Sequence, residues 1–221
     1  MQIESDIINY TWDPRNSAHS STQAMVYGAP IVRLGLTNSV ELDVGTALFT
    51  RLRQGDGMTT TSARGFGDLS IGGKVNLLGN DGGDRSFAII PFVKLPTAAT
   101  GLGNRYVEGS VNFSYTMALT KPWSLTLEPN FAVLRNDAGT GYRQNYGMIA
   151  NLNRPILFEG LTAAAEIAVD VSSEHAKTRV TLDPSLQYLI TKTVQIDVGV
   201  YLGATKYAPR YNPYMGISAR F

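Results

Sequence analysis

The chain has no cysteine and only two histidines in 221 residues. Without cysteine there is no disulfide framework, thiolate metal site or cysteine nucleophile, so stability has to come from strand pairing and packing. Charge is scarce as well. Asp, Glu, Lys and Arg make up 17% of the residues, against roughly 25% in soluble domains. The 19 basic and 18 acidic side chains leave a net charge of +1, which argues against a nucleic-acid or polyphosphate surface. No apolar run approaches the ~18 residues that a membrane helix needs. The opening Met1-Gln2-Ile3-Glu4 lacks the basic start and apolar core of a secretory signal, so an exported protein would be met here in processed form. No cofactor is expected: metal-ligand spacing, a phosphate loop and a complete calcium loop are missing, and Gly65-Phe66-Gly67 and Asp81-Gly82-Gly83-Asp84 read as turns.

Glycine, at 22 residues, and tyrosine, at 11, are plentiful instead, and the dominant pattern has period two, which places alternate side chains on opposite faces of a sheet. Val107, Val111, Phe113, Tyr115, Met117 and Leu119 take one face, and Glu108, Ser110, Asn112, Ser114 and Thr116 take the other. After Thr120-Lys121-Pro122 the alternation resumes with Trp123, Leu125, Leu127, Phe131 and Val133, which predicts a tight hairpin. Twelve strands are predicted in all, over 2–10, 24–36, 40–52, 67–78, 87–95, 107–119, 123–134, 143–153, 161–171, 179–190, 194–204 and 213–221. Most match the roughly 9–11 residues of a tilted strand crossing a bilayer. They fill the chain, leaving one domain over residues 1–221 and no room for a second.

Long connections (11–23, 53–66, 96–106, 135–142, 172–178, 205–212) alternate with mostly shorter ones (37–39, 79–86, 120–122, 154–160, 191–193). Long and short links therefore fall on opposite ends, as in an outer-membrane barrel, and an even strand count puts both termini on the short-turn side. A soluble sandwich would also alternate, but its polar face should be rich in Lys and Glu. Here that face is mostly Ser, Thr, Asn, Gln and Gly, which suits a confined lumen. Phe87, Trp123, Tyr188 and Phe221 fall at the short-turn ends, with Trp12, Tyr106, Tyr142, Tyr207, Tyr211 and Tyr214 near the long loops, giving two interfacial girdles. The fold expected is all-β: a single closed antiparallel transmembrane barrel of about 12 strands in up-and-down order. Pro30, Pro91, Pro129 and Pro184 sit inside strands on the outward parity, where bulges or widened pairing are expected.

The segment Gly67-Asp68-Leu69-Ser70-Ile71-Gly72-Gly73-Lys74-Val75, then Ile89-Ile90-Pro91-Phe92-Val93-Lys94-Leu95-Pro96-Thr97 and a loop with Gly101 and Gly103, resembles the small outer-membrane barrels of the phenol-degradation meta-pathway transporter type. Tyr27-Gly28-Ala29-Pro30 and the Val40 to Gly45 strand share the likeness. The resemblance implies a monomeric outer-membrane barrel with an uptake role, often for aromatic or apolar compounds, and transfers no binding residues. A last strand carrying Met215, Ile217, Ala219 and Phe221 on one face resembles the signal that such barrels present to their insertion machinery. Partners expected are therefore outer-membrane lipid, that machinery and a small solute, with no nucleic acid.

On the inward parity opposite charges meet. Arg220 is expected near Glu4 across the closing seam, Arg33 opposite Asp43, Arg51, Asp68, Lys94 and Glu108 in a row near the outer rim, and Asp170 opposite Arg179. Such pairs pin strand register. Glu128, Glu166, Asp183 and Asp197 have no basic residue of matching height, so they read either as an acidic wall favouring cations or as carboxylates solvated by neighbouring Asn and Thr. Phe49, Ile90, Phe92, Ile149 and Tyr201 read either as an apolar constriction or as lumen packing. Twelve strands leave a narrow pore or a partly plugged lumen. His19 and His175 fall in loops beside Ser20, Ser21, Ser172 and Ser173, a setting that predicts solvated loop and no enzyme. The function expected is a passive channel for small solutes with weak cation preference; the alternative is a structural or adhesive barrel with an ion-paired, closed lumen.

Overall fold

The computed structural model describes residues 1–14, 21–55, 58–79, 83–174 and 178–221. Among them are the strands β1 (Gln2–Asp13), β2 (Ser21–Gly35), β3 (Val40–Gly45), β4 (Phe49–Gly55), β5 (Thr60–Gly65), β6 (Leu69–Leu78) and β7 (Arg85–Leu95). These are followed by β8 (Glu108–Ala118), β9 (Ser124–Arg135), β10 (Tyr142–Pro155), β11 (Leu161–Ser172), β12 (Arg179–Leu189), β13 (Val194–Gly203) and β14 (Tyr211–Arg220). Every pairing is antiparallel, and β1 pairs with both β14 and β2, so the sheet closes on itself. Closure removes the edge that an open sheet would expose. At the seam Gln2 faces Arg220 and Ile3 faces Ala219, and the Phe221 amide donates to the Met1 carbonyl at 2.9 Å.

The alternation reads directly into the wall. Leu182, Leu186, Val198, Met215, Ile167 and Met148 stand exposed on the outer face, while Ser, Thr, Asn and charged residues line the inside. Few apolar side chains are fully buried; Ala88, Ala164 and Ala208 are among them. Such a barrel has no apolar core, and what its outer side chains meet decides its stability. The strand prolines widen pairing toward one neighbour without slipping register. Near Pro91 the β6–β7 ladder skips from Gly72↔Phe92 to Val75↔Ile89. Near Pro129 the β8–β9 ladder skips from Asn112↔Asn130 to Tyr115↔Leu127, and near Pro184 the β12–β13 ladder skips from Leu182↔Leu202 to Ser185↔Gly199.

Twelve staves close the barrel, as expected, and they carry fourteen strands among the described residues because two staves are each broken in the middle. β3 and β4 are one stave interrupted at residues 46–48, and β5 and β6 are the next, interrupted at 66–68. The break belongs to a crease that runs across four neighbouring staves. In β1 the register to β14 shifts between Asp6↔Gly216 and Ile8↔Met215. In β2, Asp6 pairs with Ala29 and Ile8 with Tyr27, and the intervening Gly28 has φ +64°, a backbone conformation that costs a side-chain-bearing residue about 1–2 kcal/mol. Leu48 donates to the Gly28 carbonyl at 2.7 Å and Gly67 to the Ala47 carbonyl at 2.9 Å, so hydrogen bonds continue through the crease.

A bulge leaves one residue extra and reverses which parity points outward beyond it. Ile8 shares the outer face with Met215, so its partner Tyr27 faces outward too, and so does Phe49 opposite Tyr27. The Tyr27 and Phe49 rings lie 6.2 Å apart. Below the crease odd residues of this stave point inward, as Asp43 does opposite Arg33; above it they point outward, as Phe49, Arg51 and Arg53 do. The β4–β5 hairpin occupies part of what the sequence suggested was a long loop. The segment after β7 folds back over the inner side of β5: Ala99 donates to the Phe66 carbonyl at 2.9 Å, and a side chain at Gly101 or Gly65 would strike Ala63 or Ala99.

The crease predicts a phase reversal that is measurable because the chain lacks native cysteine. Single cysteines placed in turn at positions 47–53, spin-labelled and reconstituted in lipid, should show oxygen-accessibility maxima at 49, 51 and 53. An uninterrupted strand continuing the parity of Asp43 would place them at 48, 50 and 52.

Candidate functional site: the charged lumen

Two differently built walls face each other across the lumen. The first runs over β1, β2, β3, β6, β7 and β8 and is ion-paired. Arg33 donates to Glu4 at 2.8 Å and to Glu41 at 3.2 Å, and its guanidinium lies 3.9 Å from Asp43. Lys74 stands 4.0 Å from Glu41. Asp43 is fully buried opposite Gly72, a glycine whose place a side chain could not share with the Phe92 ring. Toward the long-loop end Lys94 bridges Glu108 at 2.8 Å and Asp68 at 3.2 Å. Asn104 accepts from Lys94 and donates to Glu108, and Asp68 accepts from the Ala98 amide at 2.9 Å, which ties the inward-folded segment to the same cluster. In the other half of the barrel, at its long-loop end, Asp170 of β11 faces Arg179 of β12 in register, with 3.9 Å between charged groups. At that end of β10, Arg143 also bonds Asp137 and Glu174.

The second wall runs over β9 to β14. Glu128 accepts from Asn112 at 2.9 Å and Glu166 from Asn151 at 3.0 Å. Asp183, which is buried, accepts from the Tyr214 hydroxyl at 2.8 Å. Glu166 and Asp183 are direct cross-strand partners. Asp197 lies opposite Gly216, which in turn faces Asp6, so two carboxylates flank one glycine on three adjacent strands. Among the described residues no Lys or Arg lies within ion-pair distance of Glu128, Glu166, Asp183 or Asp197. Like carboxylates held opposite each other in a confined space raise the local concentration of cations and oppose anions.

Three expectations change. Arg51 does not join Asp68, Lys94 and Glu108, and Phe49 does not face the lumen, because the crease turns both outward. Arg220 does not meet Glu4: the seam register sets Arg220 opposite Gln2, whose amide oxygen it reaches at 3.4 Å, and leaves Glu4 to Arg33. Tyr214 is no girdle residue; it stacks on Tyr201 at 5.1 Å inside the lumen. Ile90, Phe92, Ile149 and Tyr201 keep the inward face, but on β7, β10 and β13, three strands apart each time. His19, Ser20 and His175 lie outside the described residues. Asp6, Glu41 and Lys74 were missed although their parity matches Glu4, Asp43 and Asp68; the hydroxyl of Tyr214 was missed because its ring was counted as a membrane anchor.

The family profile described as "Putative MetA-pathway of phenol degradation" matches residues 1–221. In fold the chain is similar to the COG4313 outer membrane channel from Pseudomonas putida F1, at 12% identity and TM-score 0.74, covering 100% of this chain and 95% of that one. It is also similar to the β domain of the Bordetella autotransporter BrkA, at 12% identity and TM-score 0.57, covering 100% and 98%. A third similar structure is the transport unit of the Escherichia coli autotransporter AIDA-I, at 11% identity and TM-score 0.58, covering 100% and 90%. No curated protein matches the chain in sequence.

The Lys94 cluster sets up a stability prediction. Asp68 and Glu108 are nearly covered, at 12% and 13% side-chain exposure, and removing their shared cation leaves two adjacent carboxylates without one. Lys94→Met should cost about 2–3 kcal/mol in urea unfolding from lipid vesicles, and Lys94→Met combined with Glu108→Gln should recover part of it. The single variant should also raise protease cleavage within 97–104.

Proposed function

The chain belongs to the "Putative MetA-pathway of phenol degradation" family, and from that premise we propose that it is a passive outer-membrane channel for small solutes, phenolic and other small aromatic compounds included, with a weak preference for cations. The observation that carries the reading is the wall of Glu128, Glu166, Asp183 and Asp197, which faces the lumen and has no basic partner among the described residues; Glu128, Glu166 and Asp183 accept instead from Asn112, Asn151 and Tyr214. The hydrogen bonds that Glu128, Glu166 and Asp183 accept come from neutral amides and a phenol, so among the described residues no protein cation stands between these carboxylates and a passing ion. The ion-paired wall opposite sets Arg33, Lys74 and Lys94 against Glu4, Glu41, Asp43, Asp68 and Glu108, so it does not offset the acidic side with an excess of base.

The fold supports location in a bilayer: a closed sheet with an apolar outer face, an aromatic at each end of several staves, and an aqueous inner face. In this reading the short turns and both termini are periplasmic, the long loops are extracellular, the barrel works as a monomer, and the last strand with Phe221 is what the insertion machinery engages. Transport needs no catalytic group and no cofactor. The stacked Tyr201 and Tyr214 rings beside Asp183 offer a flat apolar face with one polar edge, the surface a phenolic solute would slide along.

One observation favours a second reading. The segment after β7 folds over the inner face of β5 and is tied down by Asp68 and Lys94, which narrows the mouth and suits a structural or adhesive barrel with a closed lumen. Single-channel recording decides between them. Discrete conductance steps are expected, with a reversal potential under a KCl gradient on the cation-selective side. Neutralising the wall as Glu128→Gln, Glu166→Gln, Asp183→Asn and Asp197→Asn should bring that potential close to zero. A silent barrel that migrates as folded in gel electrophoresis defeats the channel reading, and anion selectivity of the parent protein defeats the cation preference. Swelling of protein-bearing liposomes in phenolic acids, sugars and amino acids should be fastest for the phenolic acids of matched size.

A further inference from the structure

The crease places three arginines where a membrane-spanning wall should carry none. Above it Arg51, Arg53 and Arg64 all project from the outer face of the β4–β5 hairpin, and all three are exposed. Arg51 and Arg64 are direct cross-strand partners, an arrangement of like charges that is unfavourable unless an anion lies between or over them. Among the described residues none of the three has an ion pair or hydrogen bond to a carboxylate, and the outward neighbours on β1, β2, β4 and β5 are Tyr10, Trp12, Gln23, Met25, Ser62 and Thr60, with no acid.

Their height identifies the occupant. Val40 begins its stave beside the short turn, and the eleven residues from there to Arg51 climb roughly 25–30 Å at the usual strand rise and tilt, the full height of an apolar band. Arg51 and Arg64 therefore sit at the outer edge of the hydrocarbon, and Arg53 sits one step higher, in register with Gln23 and Trp12. Aromatic side chains lie immediately below them, Tyr27 and Phe49, whose ring centroids are 6.2 Å apart. A ligand here has acyl chains against Tyr27 and Phe49 and anionic oxygens at guanidinium level. Guanidinium forks match phosphate oxygens in pairs, which sets arginine apart from lysine at such a place.

We propose that the outer wall of the β4–β5 hairpin is a binding site for a phosphorylated glycolipid of the outer leaflet, of the lipopolysaccharide class, whose phosphates bridge Arg51, Arg53 and Arg64. The crease is what creates the site: had the parity of Asp43 continued, Arg51 and Arg53 would face the lumen. The bound lipid offsets the Arg51–Arg64 repulsion and anchors the hairpin at the membrane surface, and no divalent cation is needed between the protein and the phosphates. The inference rests on the outer-membrane reading of the barrel but not on conduction.

The test uses the full chain folded in zwitterionic detergent micelles, titrated with purified lipopolysaccharide in the presence of a divalent-cation chelator and read by native-gel mobility and displacement of a fluorescent lipopolysaccharide. The variant Arg51→Gln/Arg53→Gln/Arg64→Gln should bind at least tenfold more weakly than the parent, each single change two- to fivefold more weakly, and Arg51→Lys between Arg51→Gln and the parent. Folding is checked by heat-dependent gel mobility; if the triple variant does not fold, the singles carry the comparison. Inorganic phosphate at millimolar concentration and phosphatidylglycerol micelles should fail to displace the probe. Unchanged affinity in the substituted proteins overturns the proposal. Displacement by inorganic phosphate reassigns the site to free anions, and equal displacement by phosphatidylglycerol reduces it to unspecific anionic-lipid contact; either result overturns it as well. A parent that binds lipopolysaccharide in this arginine-dependent way yet never conducts leaves the site standing and removes the channel.

Discussion

Everything in this molecule follows from the requirement that a sheet with one apolar face leave no backbone hydrogen-bonding group unpaired toward that face. Closing β14 onto β1 meets it, and the cost is that the chain has almost no interior in the usual sense: its large apolar side chains point out, and its inside is polar. With a protein core absent, register has to be held from within. The lumen supplies that through Arg33 gripping Glu4 and Glu41 across three strands, and Lys94 gripping Asp68 and Glu108 across three more. These contacts are individually modest at partly exposed positions, but each is satisfied in only one register, because a slip by one residue sends every side chain to the opposite face.

The period-two pattern made the barrel legible, and it did so wherever strands run uninterrupted. β8 to β14 fall close to their expected bounds, and the alternation of long and short links gave the sense of the barrel. What the pattern could not carry is a local reversal of parity. A bulge inserts one residue into a strand and leaves both flanking segments looking regular, so a reading that counts through it assigns the far side to the wrong face. Tyr27-Gly28-Ala29-Pro30 held the clue, since a glycine and a proline inside a strand mark a place where the ladder has to bend. Arg51 and Phe49 were misplaced by that single reversal. The seam differs: Arg220 and Glu4 share the inner face near the short turns, but the register of β14 against β1, which sets Arg220 opposite Gln2 and Glu4 opposite Ser218, is not written in either strand alone.

The lumen was legible in its residue types and less so in its pairings. Parity alone put Glu128, Glu166, Asp183 and Asp197 on the inner face, and the structure adds who solvates them, which depends on neighbouring strands and cannot be read along one. Asn151 is the direct cross-strand partner of Glu166, whereas Asn112, opposite Asn130, reaches diagonally to Glu128, as a polar inner face of Asn, Thr and Ser permits. Tyr214 shows the limit of reasoning by residue type, because a tyrosine near a strand end serves equally as an interfacial anchor or as an inward donor, and only the partner, Asp183, decides.

The crease also settles how charge is divided between the two sides of the wall. Were the staves regular, Arg51 and Arg53 would stand in the lumen beside Asp68 and Glu108 and add cations to a cluster in which Lys94 already bridges both carboxylates. Turned outward, they leave Arg33, Lys74, Lys94, Arg143, Arg179 and Arg220 to face a larger number of carboxylates, and among the described residues Glu128, Glu166, Asp183 and Asp197 on the β9 to β14 side have no cation within ion-pair distance. The same backbone irregularity thus makes the inside more acidic and the outer rim more basic. On the proposed readings, an aqueous path that favours cations and an outer surface that favours anionic headgroups would be two consequences of one row of bulges, and a variant that straightened β2 at Gly28 would weaken both at once.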